Sequence, residues 1–381
     1  MKEEKTSLIT LQKEIKKLLE KGVLEGVFPA AAAGISWREG SKKKEIITST
    51  GNAKIYPEKR ILKINDFFDL ASLTKPLAAT LAILCLVKEK KIDIADRLSD
   101  VFEKKLRDDI SNIRIRNLLS HSSGLPAYRD YYKILKNKES KEKTECLENL
   151  ILQESLAYET GTISLYSDLG FMLLGRIIEK KAGCTLDEYV EKKILKPLHL
   201  EKKIFYNSLY EAKRNLPENK FVATENCSWR KKVLCGEVHD DNCYTMGGVA
   251  GHSGLFGNIE GVTGYTAAIL EIWKGCYNHP NLKKEDLEFF LTRQKEIPES
   301  TWTLGFDTPS PQNSSSGHYL SKKSVGHLGF TGTSFWIDPE KDLVIVLLTN
   351  RVHPSRKNSK IKEFRPYFHD KIVENLFSQD K

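Results

Sequence analysis

A serine and a lysine three residues apart, Ser72 and Lys75, open the apolar stretch ASLTKPLAATLAIL. Proline is tolerated in a helix only in the first turn, where its missing N–H leaves no bond unmade. Pro76 therefore sets a helix start close to Ser72. The serine hydroxyl then lies at the positive end of the helix dipole, where developing negative charge is favoured. Lys75, one turn on, shares a face with it. An ammonium group is costly to bury without a partner, so this lysine sits at a rim or is held for a purpose. Partly desolvated beside a serine, it can lose its proton and act as a base. The chemistry on offer is nucleophilic attack by Ser72. By itself the pair also fits a capped helix followed by a surface lysine.

Other segments add candidates. YSDLG places Tyr166, Ser167 and Asp168 at the start of a second apolar helix, and GHLGFTG places His327 and Gly329 on a strand followed by a small-residue turn. LLSHSSGLP brings His121, Ser122 and Ser123 together. Neighbours in a tight turn cannot easily aim at one reacting atom, so this segment reads as a structural turn. The segment from Phe221 to Gly257 carries Arg230, His239, Asp240, Asp241 and His252. Its acids and histidines can be read as metal ligands, but its glycines suit a loop running close to a site. Cys227, Cys235 and Cys243 recur at equal intervals without any CxxC pair. The ligand spacing of a metal site is missing, so neither a metal nor a cofactor is expected.

These residues need elements to hold them. The chain has 381 residues, enough for two lobes around one core, and 40% of them are hydrophobic. Leu8, Leu11, Ile15, Leu18 and Leu19 make one face of an amphipathic N-terminal helix. Two strands follow, within residues 28–40 and 44–54, then a helix from Ser72. Further helices are read in IRIRNLLSHSSGLP (a helix closed by a turn), DLGFMLLGRIIEKKAG (ended by Gly183) and TLDEYVEKKILKPL. SVGHLGFTGTSFWIDPEKDLVIVLLTNR reads as a strand, a turn at Asp338 and Pro339, and a buried strand, before a closing helix. Lys136–Lys143 and the polar run around Ser314 read as surface loops. Strands thus come from both ends and helices from the middle. The expected class is α/β (α+β), a single domain over 1–381. An antiparallel sheet lobe takes about 1–70 and 211–381, and an inserted all-α lobe about 71–210.

Composition narrows the partners. The net charge of +9 comes from scattered lysines, with no basic arm, which argues against nucleic acid. The N-terminal segment lacks the uninterrupted apolar region and cleavage site of an export signal, and no later stretch reads as a membrane span. Seven dispersed cysteines suit a reducing compartment. A cytoplasmic protein without a membrane partner is expected.

In order, SxxK early, Tyr-Ser-Asp in the middle and His-x-Gly late, the sequence resembles the class C β-lactamase and penicillin-binding-protein family of serine hydrolases over roughly residues 25–350. The resemblance implies a β-lactamase/transpeptidase-like fold with the site in a cleft between sheet and helices. It implies that Ser72 is the acylated nucleophile, that Lys75 shares its proton network, and that Tyr166 relays protons to the leaving group. The N–H groups of Ser72 and Phe330 would form the oxyanion hole, and Gly329 would let substrate approach the strand edge. Asp168 falls where asparagine is usual, which removes an amide donor; its carboxylate can pair with Lys75 instead. His327 replaces a lysine, as in esterase and amidase branches. The 221–257 segment resembles the N-acetylmuramoyl-L-alanine amidase branch, where Arg230 is a candidate for a substrate carboxylate and His252 for the pocket wall. The expected activity is hydrolysis, through an acyl-enzyme, of an amide in a peptidoglycan-derived fragment. Alternatives are an ester hydrolase, a D-Ala-D-Ala carboxypeptidase or β-lactamase, and, from another class, a catalytically silent binding protein. The oligomeric state stays open.

Overall fold

The computed structural model describes residues 2–209 and 216–377, with side chains from Leu8 onward. Helix α1 (Lys2–Leu24) leads into the hairpin β1 (Ala30–Glu39) and β2 (Lys42–Lys54), then a short β3 (Arg60–Ile61). Three short strands, β4 (Phe68–Asp69), β5 (Ile204–Tyr206) and β6 (Leu255–Gly257), pair as a small sheet in the order β4-β6-β5. At the far end come β7 (Val325–Leu328), β8 (Ser334–Asp338) and β9 (Leu343–Thr349). The main sheet runs β3-β2-β1-β9-β8-β7 and is antiparallel throughout. The two chain ends meet at its centre, with Ala33 opposite Leu347 and Ile35 opposite Ile345.

An unbroken apolar strand must be covered on both faces. In β9, Val344, Val346 and Leu348 face one core, while Leu343, Ile345 and Leu347 face another with Ile15 and Leu19 of α1. Each such side chain contributes roughly 1.5–3 kcal/mol, more than one net hydrogen bond, so burial rather than the ladder joins the two ends. The first core lies under α7 (Ile259–Trp273); the second under α1 and α8 (Ile361–Phe377). Gly34 on β1 lets α7 approach closely: a Cβ there would run into the Thr263 side chain.

Between the sheet's two halves lie α2 (Leu81–Lys88), α3 (Ile115–Leu119), α4 (Ser140–Leu152) and α5 (Asp168–Ala182), then α6 (Asp241–Thr245). Ser167 caps α5, its Oγ accepting from the Gly170 N–H, and Gly183 ends it in the left-handed region at φ 72°. Three expectations need correction. Lys136–Lys143 is not all loop, because α4 begins at Ser140. The strand expected through 324–338 is two strands, split by a tight turn over 329–333. The stretch Ala71–Lys88 is long and apolar enough to cross a membrane by length and composition, though most of it is buried in the protein core.

Candidate active site

Ser72 stands in a single 3₁₀ turn, Ala71–Leu73, that leaves β4. Ala71 has a φ of 48°, a region disfavoured for alanine. Its neighbours hold it there. The Ala71 N–H donates to Asp69 Oδ1 at 2.8 Å. From the 329–333 turn, Thr331 Oγ1 donates to Asp69 O (2.8 Å) and Thr333 Oγ1 to Leu70 O (3.1 Å). The chain then widens into a π-helical turn over Lys75–Thr80, with Pro76 near its start, before α2.

Lys75 is fully buried, and its ammonium protons all have acceptors: Ser72 Oγ at 3.0 Å, Asp168 Oδ1 at 2.6 Å and the His252 carbonyl at 3.1 Å. Burial pulls its pKa down most strongly, but Asp168 and Tyr166 together outweigh burial and the net shift is upward. Three acceptors and an adjacent carboxylate suit a protonated Lys75 in the resting site. Its Nζ lies 4.8 Å from the Tyr166 ring centroid. Burial raises the Tyr166 phenol, while Lys75 and Ser72 near its hydroxyl oppose that shift without reversing it. The resting cluster holds a serine hydroxyl, an ammonium, a carboxylate and a phenol.

On β7, His327 Nδ1 bonds the Leu328 carbonyl at 2.8 Å. A carbonyl only accepts, so Nδ1 carries the proton and Nε2 is a bare acceptor, buried without a partner. Burial first, then the Lys75 charge, pushes this histidine down to about 3. It is neutral where the resembled family places a cationic lysine. The Gly329 N–H donates to Thr333 O at 2.7 Å, and a Cβ at Gly329 would clash with Thr333 Oγ1 and come within 2.8 Å of Leu70 O. The Phe330 N–H meets no acceptor among the described residues. The bonds between 69–70 and 331–333 tie its turn to the Ser72 turn, the arrangement an oxyanion pair needs. The Phe330 ring, 50% exposed, stacks on His239.

His252 Nε2 bonds Asp240 Oδ1 at 2.9 Å, and the same oxygen caps α6 by accepting from the Cys243 N–H at 2.7 Å. Arg230 goes elsewhere. Its guanidinium is buried, donating to the carbonyls of Val238 (2.7 Å) and His239 (3.0 Å) and to Asp241 Oδ1 (2.8 Å), and it lies 3.9 Å from the Tyr244 centroid. It is not on the cavity wall, so its expected contact with a substrate carboxylate does not fit its placement.

These groups surround a cavity of about 720 Å³, walled by Ser72, Tyr166, Asp168, His252, His327, Gly329 and Phe330, a size suited to a small molecule. Sequence reasoning missed several neighbours. His121, set aside as part of a turn, packs its ring 4.7 Å from Tyr166 and 4.4 Å from Trp302, and its Nδ1 accepts from the Ser167 N–H. Trp302 sits in a loop with no pattern to flag it. Arg365 had a signal: an arginine among Ile361, Phe364, Phe368 and Ile372 on the buried face of α8.

With the geometry in view, three comparisons bear on it. The family model described as Beta-lactamase matches residues 60–365. The N-acetylmuramyl-L-alanine amidase of Bacillus subtilis (strain 168) is 33% identical over 371 residues, covering 90% of this chain and 81% of that protein. A "Putative D-alanyl-D-alanine carboxypeptidase" of Escherichia coli (strain K12) is 35% identical over 315 residues, covering 75% and 69%. Among solved structures, a class C beta-lactamase superposes with a TM-score of 0.72 at 19% identity, covering 96% of each chain. EstCE1, a hydrolase with promiscuous acyltransferase activity, superposes at 0.74 and 16%, covering 96% and 99%. At such identities these two speak for the fold.

Proposed function

The chain belongs to the beta-lactamase family and is a serine hydrolase; from that premise we propose that it hydrolyses the amide between a lactyl-bearing amino sugar and L-alanine in a cell-wall fragment. The observation that carries the substrate is the likeness to the Bacillus subtilis amidase across 90% of this chain. The Asp168–Lys75 ion pair supports it, because an aspartate cannot supply the amide donor of β-lactam-binding relatives.

In this reading Ser72 Oγ attacks the lactyl carbonyl carbon. Lys75 takes the serine proton as it passes one of its own to Asp168, 2.6 Å away. The carbonyl oxygen gains the electron pair and rests on the N–H groups of Ser72 and Phe330. The C–N bond then breaks, and Tyr166 gives its proton to the departing amine, an otherwise poor leaving group. Lys75 restores that proton and recovers its own from Asp168. Water repeats the sequence on the acyl-enzyme and frees Ser72. His327, uncharged, contributes shape and an acceptor rather than charge. No metal or cofactor takes part in these steps. The seven cysteines are free thiols, which supports a reducing, cytoplasmic setting for such a substrate.

The test is direct. Purified enzyme is incubated with N-acetylmuramoyl-L-alanine and free alanine is assayed; release is expected. No release, with rapid cleavage of a D-Ala-D-Ala peptide, would favour the activity that the Escherichia coli relative is named for. Rapid cleavage of simple esters alone would favour an esterase. No labelling of Ser72 by a fluorophosphonate would leave only a silent scaffold.

A further inference from the structure

Tyr128 stands on the wall of the Ser72 cavity, 38% exposed, and its hydroxyl makes no hydrogen bond among the described residues. The loop that carries it is held on both sides. Ser167 Oγ donates to the Pro126 carbonyl (2.7 Å) and the Asp168 N–H to the Ala127 carbonyl (2.9 Å), which ties the loop to the start of α5. The buried Asn242 side chain of α6 donates to the Arg129 carbonyl (2.9 Å) and accepts from the Tyr132 N–H (2.8 Å). The ring is therefore a fixed surface in the cavity of the nucleophile, and the acyl-transfer steps make no use of it.

Burial first, then the carboxylates of Asp240, Asp241, Asp130 and Asp168, raises the phenol, so the hydroxyl keeps its proton and donates. Each of these acids is already engaged. Asp240 bonds His252 and caps α6, Asp241 has Arg230, Asp130 has Lys133 and Asp168 has Lys75. The wall thus offers acceptor oxygens more than free negative charge, which suits hydroxyl groups better than an ammonium. Two buried atoms from the same wall also lack partners, Ser253 Oγ (residue 3% exposed) and His252 Nδ1 (residue 1% exposed). A buried polar atom left unpaired is costly, so a ligand that answers it is favoured. Elsewhere the wall carries Arg351, Arg356, Lys362 and Arg365, side chains that only donate.

We propose that the Tyr128 wall binds the sugar of the substrate, the ring lying against a face of the pyranose while its hydroxyl, the neighbouring acids and Ser253 meet the sugar hydroxyls. Tyrosine offers a flat apolar body with a polar tip. A pyranose is its complement, with C–H groups on its faces and hydroxyls around its rim. A group rich in hydroxyls needs acceptors as well as donors, and the guanidinium and ammonium groups elsewhere on the wall supply donors alone. The inference rests on the amidase reading, whose substrate carries an amino sugar, and names the residues that recognise it.

Two amides separate the sugar from the scissile bond: N-acetylmuramoyl-L-alanine, and O-methyl-D-lactoyl-L-alanine, which keeps the ether oxygen and the lactyl carbons but has no sugar. Binding is measured by calorimetry on the full-length Ser72→Ala protein, so that turnover does not interfere, and alanine release on the wild-type enzyme. The Ser72→Ala protein should bind the sugar compound roughly 30-fold more tightly than the methyl ether. Adding Tyr128→Ala should bring that ratio down to a few-fold, and Tyr128→Phe or Ser253→Ala should each lower it by roughly 3- to 10-fold, the scale of one hydrogen bond. No detectable binding of the sugar compound, or a starting ratio near one, would overturn the proposal. So would a Tyr128→Ala change that weakens both ligands equally, the mark of a merely structural role. A third ligand, with an aminoethyl group in place of the methyl, tests the acids: tighter binding of it than of the sugar compound would assign the wall to an ammonium and overturn the proposal as well. The amidase reading fails separately. Preferential binding of the sugar compound with no alanine released by the wild-type enzyme would overturn that reading and leave the sugar site standing, whereas release from both amides with no preference in binding would do the reverse.

Discussion

Removing the Ser72 oxygen tests the nucleophile at its own scale. Ser72→Ala should lower turnover by several orders of magnitude while circular dichroism and melting stay unchanged; a near-normal rate would refute the role. Tyr166→Phe keeps the ring against His121 and Trp302 and deletes only the hydroxyl. A loss of roughly a hundredfold or more in kcat is expected for an amide, and a smaller loss for an activated ester, whose leaving group needs no proton. Asp168→Asn is informative in a different way. Lys75 has a raised pKa in the fold, so the stability from its pairing is fully present below 10.5, its unfolded value, and fades only as pH rises through the still higher folded value. The variant loses that contribution at neutral pH, leaving a buried cation unpaired. Urea denaturation at pH 7 should show a loss of about 3–5 kcal/mol, the usual cost of breaking one side of a buried pair. A variant as stable as wild type would mean that the pair is not what holds Lys75.

The 329–333 turn is the element on which the site's geometry converges. It splits β7 from β8, ties the segment before Ser72 through two threonine hydroxyls, presents the Phe330 N–H, and is held from behind by Arg365. A side chain at position 329 would push Leu70 or Thr333 away. Gly329→Ala should therefore cut kcat by about 10²- to 10³-fold, the scale of losing one oxyanion donor, with less effect on the binding of competitive ligands. An unchanged kcat would show that the turn yields and that the Phe330 N–H is not needed. The strained Ala71 and the π-helical turn at Lys75–Thr80 tell the same story on the other side: irregular backbone is tolerated where several neighbours fix it.

Across the whole molecule, the loops around the cavity are joined to the sheet by ion pairs that respond to acid. Glu225 bridges His239 and Arg356, contacts that link the 221–257 segment to the one after β9. Burial pushes its carboxyl up, but those two partners outweigh burial and hold it at about 2. A depressed carboxylate contributes stability above its unfolded value of 4.5, and that contribution is lost as pH falls from there toward 2. Glu225→Gln should lower the melting temperature at pH 7 and flatten its decline between pH 5 and 3. Parallel declines in wild type and variant would remove Glu225 from the account.

Much of this was legible without coordinates, for physical reasons. Ser72, Lys75 and Pro76 lie within one helical turn, so local geometry brings them together whatever the rest does. An apolar run such as that of β9 must be covered on both faces, and the cap at Ser167 and the stop at Gly183 act over a few residues. The Asp168–Lys75 pair was readable as a possibility because two charges near one nucleophile have few alternatives. The rest depended on contacts between residues far apart in the chain. Arg230 reads as an anion binder until its carbonyl partners are seen to enclose it. His121 reads as a turn residue until it is found packed against Tyr166, 45 positions later in the chain. The charge on Lys75 and the neutrality of His327 follow from burial and from partners in other elements. Sequence alone brought Ser72 and Lys75 together and called for a sheet built from both chain ends; the tertiary structure decided which partners each buried charge meets, because pairing and desolvation depend on distance in space rather than along the chain.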